Sequence, residues 1–321
     1  MHTPYETASL LKHGAFMESC FTETEAFPPL RRRIALKRMR VAEKLSLPRF
    51  IYRFQSLRRS VNRKAHEPAF MSDSIERLRV PIVHSLLALR SPTEFNDPFD
   101  MCARFEIGGS HQDKCVRYRA IFKQHNPHGK LSEREAFVSE MLKKSKAELL
   151  PRIEKSHANV VRNFGVTCFV GGDEPGRDIL MWSHYGSEHS GVCLQFDPAY
   201  DVRVFTHAVT VEYCDTYPLI DWIVDFLGGI GRAMLRKHTR WRYEHEHRIS
   251  IPDTAGKYLP FRPDALRGII LGCRADAEVE AAVVALLAER AALKLQPMRL
   301  YRATQNPVRY ALDIRKAAAH A

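Results

Sequence analysis

The chain has 321 residues, of which 45% are hydrophobic and 27% are charged, a composition that excludes a disordered tail and a small disulfide-stapled domain and allows one large domain or two ordinary ones. The formal net charge is +12 at pH 7. Thirteen basic residues and one acid, Glu43, lie between Arg31 and Lys64, so this segment carries the whole net charge and the other residues balance to zero.

The basic segment Arg31–Lys64 is the part of the sequence that predicts binding to a polyanion. Such a segment can follow the phosphates of nucleic acid, or anionic lipid, through counterion release and without reading base sequence. It can equally be a solvated charged face that aids solubility. We interpret residues 1–47 as a basic N-terminal extension, residues 48–315 as one α+β domain and residues 316–321 as a C-terminal tail.

Seven cysteines stand in the sequence without any CxxC pair. Several lie in apolar, strand-like runs such as residues 166–170, which is typical of reduced, buried thiols. The first residues lack the pattern of a secretory signal, and no apolar run approaches the ~18–20 residues that a membrane span needs. We therefore expect a cytoplasmic protein without a membrane span.

After the extension, short segments rich in β-formers predict the first strands of the domain. They cover residues 50–54 and 86–90. The second leads into residues 91–99, where two prolines together with Asn96 and Asp97 predict a structured turn.

The rest of the domain mixes helical and strand-like patterns irregularly. Ser132 and Glu135 predict a capping box that opens one or two helices, with a kink or break at Pro151. Glycines weaken the middle of an otherwise apolar helical pattern over residues 219–237. The other predicted elements are strands at 164–170, 191–196, 209–213, 243–251 and 268–272, a helix capped by Asp276 and a final hairpin within 298–314. This order predicts an α+β fold with a single mixed, mainly antiparallel β core, helical insertions and a basic N-terminal extension.

The densest group of functional side chains lies in residues 241–248. On a strand, side chains alternate between two faces, so Glu244, Glu246 and Arg248 should share one face. Two carboxylates and a guanidinium are costly to bury unless they hold each other or a ligand. One interpretation is an exposed edge strand. The other is a catalytic pair in a cleft, where one carboxylate stabilises the cationic state of a breaking glycosidic bond and the other orients the nucleophile.

A second group follows Asp178, where Trp182, Ser183, His184 and Tyr185 stand in a row. Aromatic side chains on a helical turn can form a wall for stacking on a planar ring system. The alternative is an ordinary core helix with satisfied polar tips. The sequence around Ser183 lacks the GxSxG frame of serine hydrolases.

Two smaller motifs complete the survey. Arg53 alternates with Tyr52 and Phe54 on the first predicted strand, and arginine can grip a pyrophosphate with two hydrogen bonds. His245 and His247 have the spacing of a metal pair but no third ligand at conventional spacing, so we predict no metal site.

The order of these blocks resembles the bacterial family of domains of unknown function numbered 2971. The resemblance extends over about residues 48–314. It rests on Ile51-Tyr52-Arg53-Phe54, Asn96-Asp97-Pro98-Phe99, Met181-Trp182-Ser183-His184-Tyr185, Trp241-x-Tyr243-Glu244-x-Glu246-x-Arg248 and Ile269-Ile270-Leu271-Gly272.

The layout of the blocks also resembles that of NAD-dependent mono-ADP-ribosyltransferases. This resemblance implies a split β sheet, NAD as substrate and transfer of ADP-ribose to nucleic acid or protein, as in a toxin or phage-defence effector. By position it assigns NAD binding to Tyr52 and Arg53, the nicotinamide site to Trp182, Ser183, His184 and Tyr185, and catalysis to Glu246 with Glu244 as its helper. Asn96 and Asp97 have no counterpart in that layout, and we assign them to the pocket wall, with turn formation as the alternative.

Two other functions fit the same residues. In a metal-dependent nuclease-type effector, Glu244, Glu246 and Asp97 would bind a divalent metal together with a histidine. In a non-enzymatic module, the charged strand would be structural and the basic segment would dock on nucleic acid or on a protein partner.

Overall fold

The structure, a computed structural model, describes residues 47–57, 69–172 and 174–317. The helical pattern expected around residues 34–47, except residue 47, lies outside these residues, as do residues 31–46 and 58–64 of the basic segment Arg31–Lys64 and residues 318–321 of the expected tail. The strands are β1 Ile51–Gln55, β2 Leu86–Ala88, β3 Arg104–Glu106, β4 Gly165–Val170, β5 Val192–Phe196, β6 Val209–Thr210, β7 Glu212–Cys214, β8 Leu219–Asp221, β9 Arg236–His238, β10 Glu246–Ile251, β11 Tyr258–Pro260, β12 Leu266–Leu271, β13 Arg299–Gln305 and β14 Leu312–Lys316. The helices are α1 Ala69–Ile82, α2 His111–His125, α3 Leu131–Lys143, α4 Lys146–Asn163, α5 Ile179–Tyr185, α6 Val202–Phe205, α7 Phe226–Met234 and α8 Ala277–Ala292.

An eight-stranded sheet in the order β14-β13-β12-β5-β1-β4-β10-β6 forms the centre of the molecule. Its neighbouring strands are antiparallel except for the parallel pair of β12 and β13. Three two-stranded sheets, β2 with β11, β3 with β8 and β7 with β9, lie outside it. The predicted α+β class with a mixed, mainly antiparallel core is confirmed.

Both faces of the central strands are covered, which explains their unbroken apolar sequences. On one face Leu194 and Ile269 pack in the main core, which α1 and α8 cover through residues such as Leu78 and Val283. On the other face Ile270 packs in a smaller core built around Trp182, Cys193, Ala303 and Leu312. Side chains that alternate along β12 therefore belong to two different cores.

The C-terminal elements form as the sequence predicts. Asp276 caps α8, because its carboxylate accepts a hydrogen bond from the backbone N–H of Val279 at 2.9 Å. The strands β13 and β14 pair antiparallel, with Ala303 opposite Ile314. Capping and hairpin pairing involve residues that are close together in the chain. The sequence pattern alone was therefore sufficient to predict these elements.

The predicted capping box at Ser132 is wrong. The helical insertion contains three helices, α2 to α4, around their own cluster of apolar side chains. Ser132 lies inside α3, whereas Ser145 caps α4 with Glu148 as the reciprocal partner. The helix α4 continues through Pro151. Both serines are followed three residues later by glutamate, so the motif itself could not distinguish them.

The helix predicted over residues 219–237 is confined to α7. Its flanks are strands, since β8 pairs with β3 and β9 pairs with β7, and those distant partners leave no trace in local periodicity. The glycines have a packing role, because a Cβ atom at Gly229 would lie 2.5 Å from the side chain of Ile220. A side chain there would push α7 away from β8.

The strand predicted from Tyr243 begins three residues later, at Glu246. Residues Thr239–Glu244 form a 3-10 turn, and His245 adopts the left-handed backbone conformation with φ of 43°. Glu244 therefore stands on a turn that precedes β10 and is not on the strand itself. None of the helices that the structure describes is long and apolar enough to cross a bilayer.

A buried arginine joins α8 to two loops of the main core. The side chain of Arg290 is 1% exposed, and it donates hydrogen bonds to the carbonyl oxygens of Ile82, Pro263 and Gln296 at 2.6 to 2.9 Å. One side chain thus donates to three backbone acceptors, of which the carbonyl of Pro263 also accepts from the N–H of Leu266.

We expect Arg290→Met to lower the free energy of unfolding by about 3 kcal/mol, because hydrogen bonds from a charged donor are lost and buried carbonyls remain unpaired. The matched control is Arg299→Met at the exposed start of β13, for which we expect a change within about 0.5 kcal/mol. Urea unfolding of both variants checks this. Equal losses of unfolding free energy in the two variants would show that the hydrogen bonds of Arg290 do not stabilise the fold.

Candidate functional site

A cavity of about 410 Å³ opens beside the centre of the large sheet. We call it the central cavity. Its wall is formed by β1, β4, the turn after β2, α5 and the segment from β9 to β10. Among its lining residues are Arg53, Arg90, Asn96, His184, Tyr185, Glu244 and Glu246. Six predicted site residues therefore line one cavity, although they come from distant parts of the chain.

Strand order explains this convergence. The strand β4 lies between β1 and β10, and Val170 is opposite Tyr52 on one side and Glu246 on the other. The backbones of β1 at Tyr52 and Arg53 and of β10 at Glu246 are therefore separated by the width of one strand. The helix α5 follows β4 through a short connection and contacts β1, which brings its C-terminal residues to the same cavity.

The floor of the central cavity is a buried group of charges, Asp100, Lys237, Glu244, Glu246 and Arg248, which we call the ion network. The Nζ atom of Lys237 lies 2.5 Å from Glu244 and 3.1 Å from Glu246. Arg248 donates to Glu246 at 2.6 Å through Nε and to Asp100 at 2.6 Å through Nη2. These five side chains are at most 6% exposed, so each charge depends on its partners for compensation.

The carboxyl groups of the network differ in their affinity for protons. Burial alone would raise the pKa of Glu246, but the charges of Arg248 and Lys237 outweigh it and lower that pKa to about 2. For Glu244, burial dominates over the attraction of Lys237 and raises the pKa. Burial likewise raises the pKa of Asp100 in spite of Arg248. Glu246 is thus a fixed negative charge, whereas Glu244 can exchange a proton.

Tyr185 connects Glu244 to the wall of the cavity. Its hydroxyl donates a hydrogen bond to Oε1 of Glu244 at 2.5 Å and also bonds to Asn96. Burial, followed by the charge of Glu244, raises the pKa of Tyr185, so the phenol stays protonated and acts as a donor. Lys237 occupies the other oxygen of Glu244, which fixes the orientation of the carboxylate.

Two guanidinium groups line the opposite wall. Arg53 donates to the hydroxyl of Thr167 on β4, and burial lowers its pKa. Arg90 forms an ion pair with Glu94 at 2.9 Å, and both side chains are about half exposed. Among the residues that the structure describes, no acid lies within ion-pair distance of Arg53. An anionic ligand is therefore a suitable partner for it.

Four predicted site residues do not line the central cavity. Tyr52 points to the other face of β1, because side chains alternate along a strand, and its hydroxyl accepts a hydrogen bond from Gln195 at 2.8 Å. Trp182 is fully buried and donates to the carbonyl of Gly176 at 2.7 Å. The Oγ atom of Ser183 lies 3.2 Å from Nε2 of His189, and both residues line a different pocket. Asp97 caps the turn by accepting from the N–H of Phe99 at 2.9 Å.

Tyr52, Trp182, Ser183 and Asp97 therefore do not share the central cavity with the other six predicted site residues. Helical geometry explains the aromatic block, since successive residues of α5 point about 100° apart. Trp182 consequently faces the core while His184 and Tyr185 face the cavity. Contiguity in sequence does not mean a shared surface on a helix.

Sequence analysis did not identify Asp100 and Lys237 as site residues. Asp100 directly follows the Asn-Asp-Pro-Phe turn, so its position beside a candidate motif was an available signal. Lys237 is the last residue of the apolar pattern that predicts a helix over residues 219–237. No feature of the neighbouring sequence distinguishes it from a solvent-facing lysine. Its role depends on β9 placing it opposite the 3-10 turn.

In the described parts of the chain, no group of three or more histidine, cysteine, aspartate or glutamate side chains is placed to hold a metal ion. The set proposed for a metal-dependent nuclease is not brought together. Asp97 lines a neighbouring cavity, while Glu244 and Glu246 already share Lys237.

Comparison with protein families gives one match. The model of the family described as Protein of unknown function (DUF2971) matches residues 181–249. This stretch contains most of α5 and four of the five members of the ion network, so the similarity to that family covers one side of the central cavity. Searches of curated proteins and of solved structures found no match.

The ion network predicts a large cost for removing one member. We expect Arg248→Met to lower the free energy of unfolding by about 3–5 kcal/mol, because Glu246 and Asp100 then stay buried without their partner. The control is Arg236→Met, since Arg236 pairs with the largely exposed Glu212 at 2.9 Å and such a pair contributes about 0–1 kcal/mol. Thermal and urea unfolding distinguish the two variants.

The same pair of variants should differ in acid. The pKa of Glu246 is about 2 in the folded state and near 4.3 in an unfolded chain. Ionisation of Glu246 therefore stabilises the folded state at every pH above the pKa of the unfolded chain. This contribution is lost as the pH falls toward 2. We expect the wild type and Arg236→Met to lose more stability between pH 5 and pH 3 than Arg248→Met. A parallel loss in all three would contradict the assigned pairing.

Proposed function

We propose that the protein is an NAD-dependent ADP-ribosyltransferase, with the nicotinamide-ribose part of NAD in the central cavity and nucleic acid or protein as acceptor. One observation carries the proposal. An arginine on β1, the aromatic end of α5 and a buried carboxylate before β10 face the same cavity, which is the three-part layout that the sequence resembles.

The chemistry of the wall suits this substrate. Arg53 and Arg90 are cations on one side of the cavity and match the negative charge of a pyrophosphate. His184 and Tyr185 offer planar rings at the cavity wall, and such rings suit the stacking of nicotinamide. The volume of about 410 Å³ lies within the usual range of ligand sites.

The proposed reaction needs one proton acceptor. Transfer breaks the bond between ribose C1′ and the nicotinamide nitrogen, and the electron pair of that bond leaves with nicotinamide. A nucleophilic oxygen or nitrogen of the acceptor forms the new bond to C1′, and its proton passes to the carboxylate of Glu244. Negative charge on the buried Glu244, beside C1′, also stabilises the positive charge that develops there.

In this proposal Glu244 and Glu246 exchange the roles that the resemblance assigned. Glu244 borders the cavity, has a raised pKa and is oriented by Tyr185 and Lys237. Glu246 has both oxygens engaged by Arg248 and one also by Lys237. Its fixed charge holds Lys237 in place, so Glu246 is a positioning residue and Glu244 is the proposed catalytic residue.

We expect Glu244→Gln to reduce the release of nicotinamide from NAD about 10²- to 10⁴-fold, the usual contribution of a positioned proton acceptor. The measurement is nicotinamide release by purified protein in chelator, with thermal unfolding as a check on folding. Glu212→Gln, on the exposed part of β7, is the matched control and should retain the wild-type rate. Unchanged release in Glu244→Gln would refute the assignment.

The pH dependence of the same reaction gives an independent test. Because the ionised form of Glu244 accepts the proton, kcat/KM should rise with pH through a pKa above the ordinary carboxyl range. Tyr185 donates to this carboxylate and lowers its pKa, so Tyr185→Phe should move the rise to higher pH. Lys237 and Arg248 stay charged throughout this range, since their pKa values are raised. A shift to lower pH in Tyr185→Phe would contradict the role of Glu244.

A further inference from the structure

Four aromatic side chains form a row that the proposed reaction does not fully use. Along the row the ring centroids of Trp241 and Tyr243 lie 6.2 Å apart, those of Tyr243 and His184 lie 6.1 Å apart, and those of His184 and Tyr185 lie 6.3 Å apart. We call this the aromatic row. Each of the four residues is at least partly exposed, so ring surface is open to a ligand.

The row begins in a second cavity. This adjoining cavity of about 630 Å³ shares Asn96 and Lys237 with the central cavity and is lined by Trp241. Tyr185, at the other end of the row, lines the central cavity. The aromatic row therefore runs from one cavity to the other and ends at the carboxylate of Glu244.

Charged side chains accompany the row. Arg236, Arg240 and Lys237 line the adjoining cavity, together with His238 and the carboxyl groups of Asp97 and Asp215. Arg236 is paired with Glu212, and His238 lies 3.7 Å from Asp215. Arg240 is exposed, and within the described part of the chain no acid lies within ion-pair distance of it. An anionic group at the cavity mouth would find this guanidinium available.

We propose that the acceptor is single-stranded nucleic acid, bound with its bases on Trp241 and Tyr243, the two rings of the aromatic row that the proposed nicotinamide site does not use, and with its phosphates toward Arg240. Stacking on aromatic side chains beside a positive groove is how proteins hold single strands, and it accepts every base because every base has a π-face. Paired bases in a duplex are stacked on each other and cannot reach the rings. A protein acceptor would present a single side chain and would not use two successive rings.

The identity of the acceptor rests on the proposed function, but binding of the strand does not. We would measure the anisotropy of a fluorescein-labelled single strand of about ten nucleotides, within the range of site sizes for such grooves, with the full chain and without NAD. Excess unlabelled duplex DNA would occupy sequence-independent contacts, including any made by the basic segment Arg31–Lys64.

Trp241→Leu should weaken binding of the single strand roughly 5- to 150-fold, the range for loss of one stacked base. Tyr310→Leu is the matched control, because Tyr310 is fully exposed and lies near a different pocket. It should bind as the wild type does. Wild-type affinity in a folded Trp241→Leu protein would overturn the inference, as would equal competition by duplex and single strand.

A second variant keeps the test valid if Trp241→Leu fails to fold. Arg240→Ala changes an exposed side chain, and it should reduce the slope of log affinity against log salt by about 0.7, the value for one phosphate contact to a single strand. The control is Arg309→Ala, at an exposed position beside Tyr310. Equal slopes in both variants would show that Arg240 does not contact a phosphate, and would contradict the proposed path of the single strand.

The two proposals can fail separately. Normal release of nicotinamide together with wild-type strand binding in the row variants would refute the nucleic-acid acceptor alone, and label transferred from NAD to protein would then identify the acceptor class. Strand binding that depends on Trp241 without any release of nicotinamide would refute the transferase alone. Transfer of label to the single strand, lost in Trp241→Leu, would support both.

Discussion

The buried attraction between Lys237 and two glutamates is the interaction on which the site depends. Glu244 ends a 3-10 turn and Glu246 starts β10, with His245 between them in a left-handed conformation. Two carboxylates this close would repel each other in a buried setting without a shared cation. Lys237 on β9 supplies it, and Arg248 together with Asp100 completes the compensation. The geometry of the proposed catalytic carboxylate is thus a consequence of charge balance.

The central sheet makes this balance possible by bringing distant segments to one place. The strand β4 separates Arg53 from the ion network by a single strand, and α5 adds Tyr185 from the side. The central and adjoining cavities share Lys237 and Asn96. The same lysine therefore orients Glu244 and forms the wall between the proposed NAD site and the proposed acceptor site. Its Nζ atom also lies 4.8 Å from the ring centroid of Trp241, which connects the ion network to the aromatic row.

Local sequence patterns predicted the elements whose sequence signals lie within a few residues. The apolar run of β12, the cap of α8 and the final hairpin follow from burial, capping and turn chemistry within a few residues. The helix predicted over 219–237 was wrong at its ends, because β8 and β9 depend on pairing with β3 and β7. The strand predicted over 243–251 was wrong at its start, where a 3-10 turn and the left-handed His245 precede β10. The same limit applied to the site. Alternation on a strand correctly placed Glu246 and Arg248 on one face, but Glu244 reaches them from a turn.

By itself the sequence determined the fold class, most of the central strands and the set of residues from which the cavity draws Arg53, Asn96, Tyr185, Glu244 and Glu246. It could do so because composition, periodicity and motif blocks are properties of short segments. Only the tertiary structure decided that Trp182 is core, that Tyr52 faces away and that Lys237 and Asp100 belong to the site. Those outcomes depend on the direction of side chains and on strand partners far along the chain. The opposite pKa shifts of Glu244 and Glu246 likewise arise from burial and neighbouring charges, which exist only once the chain is folded.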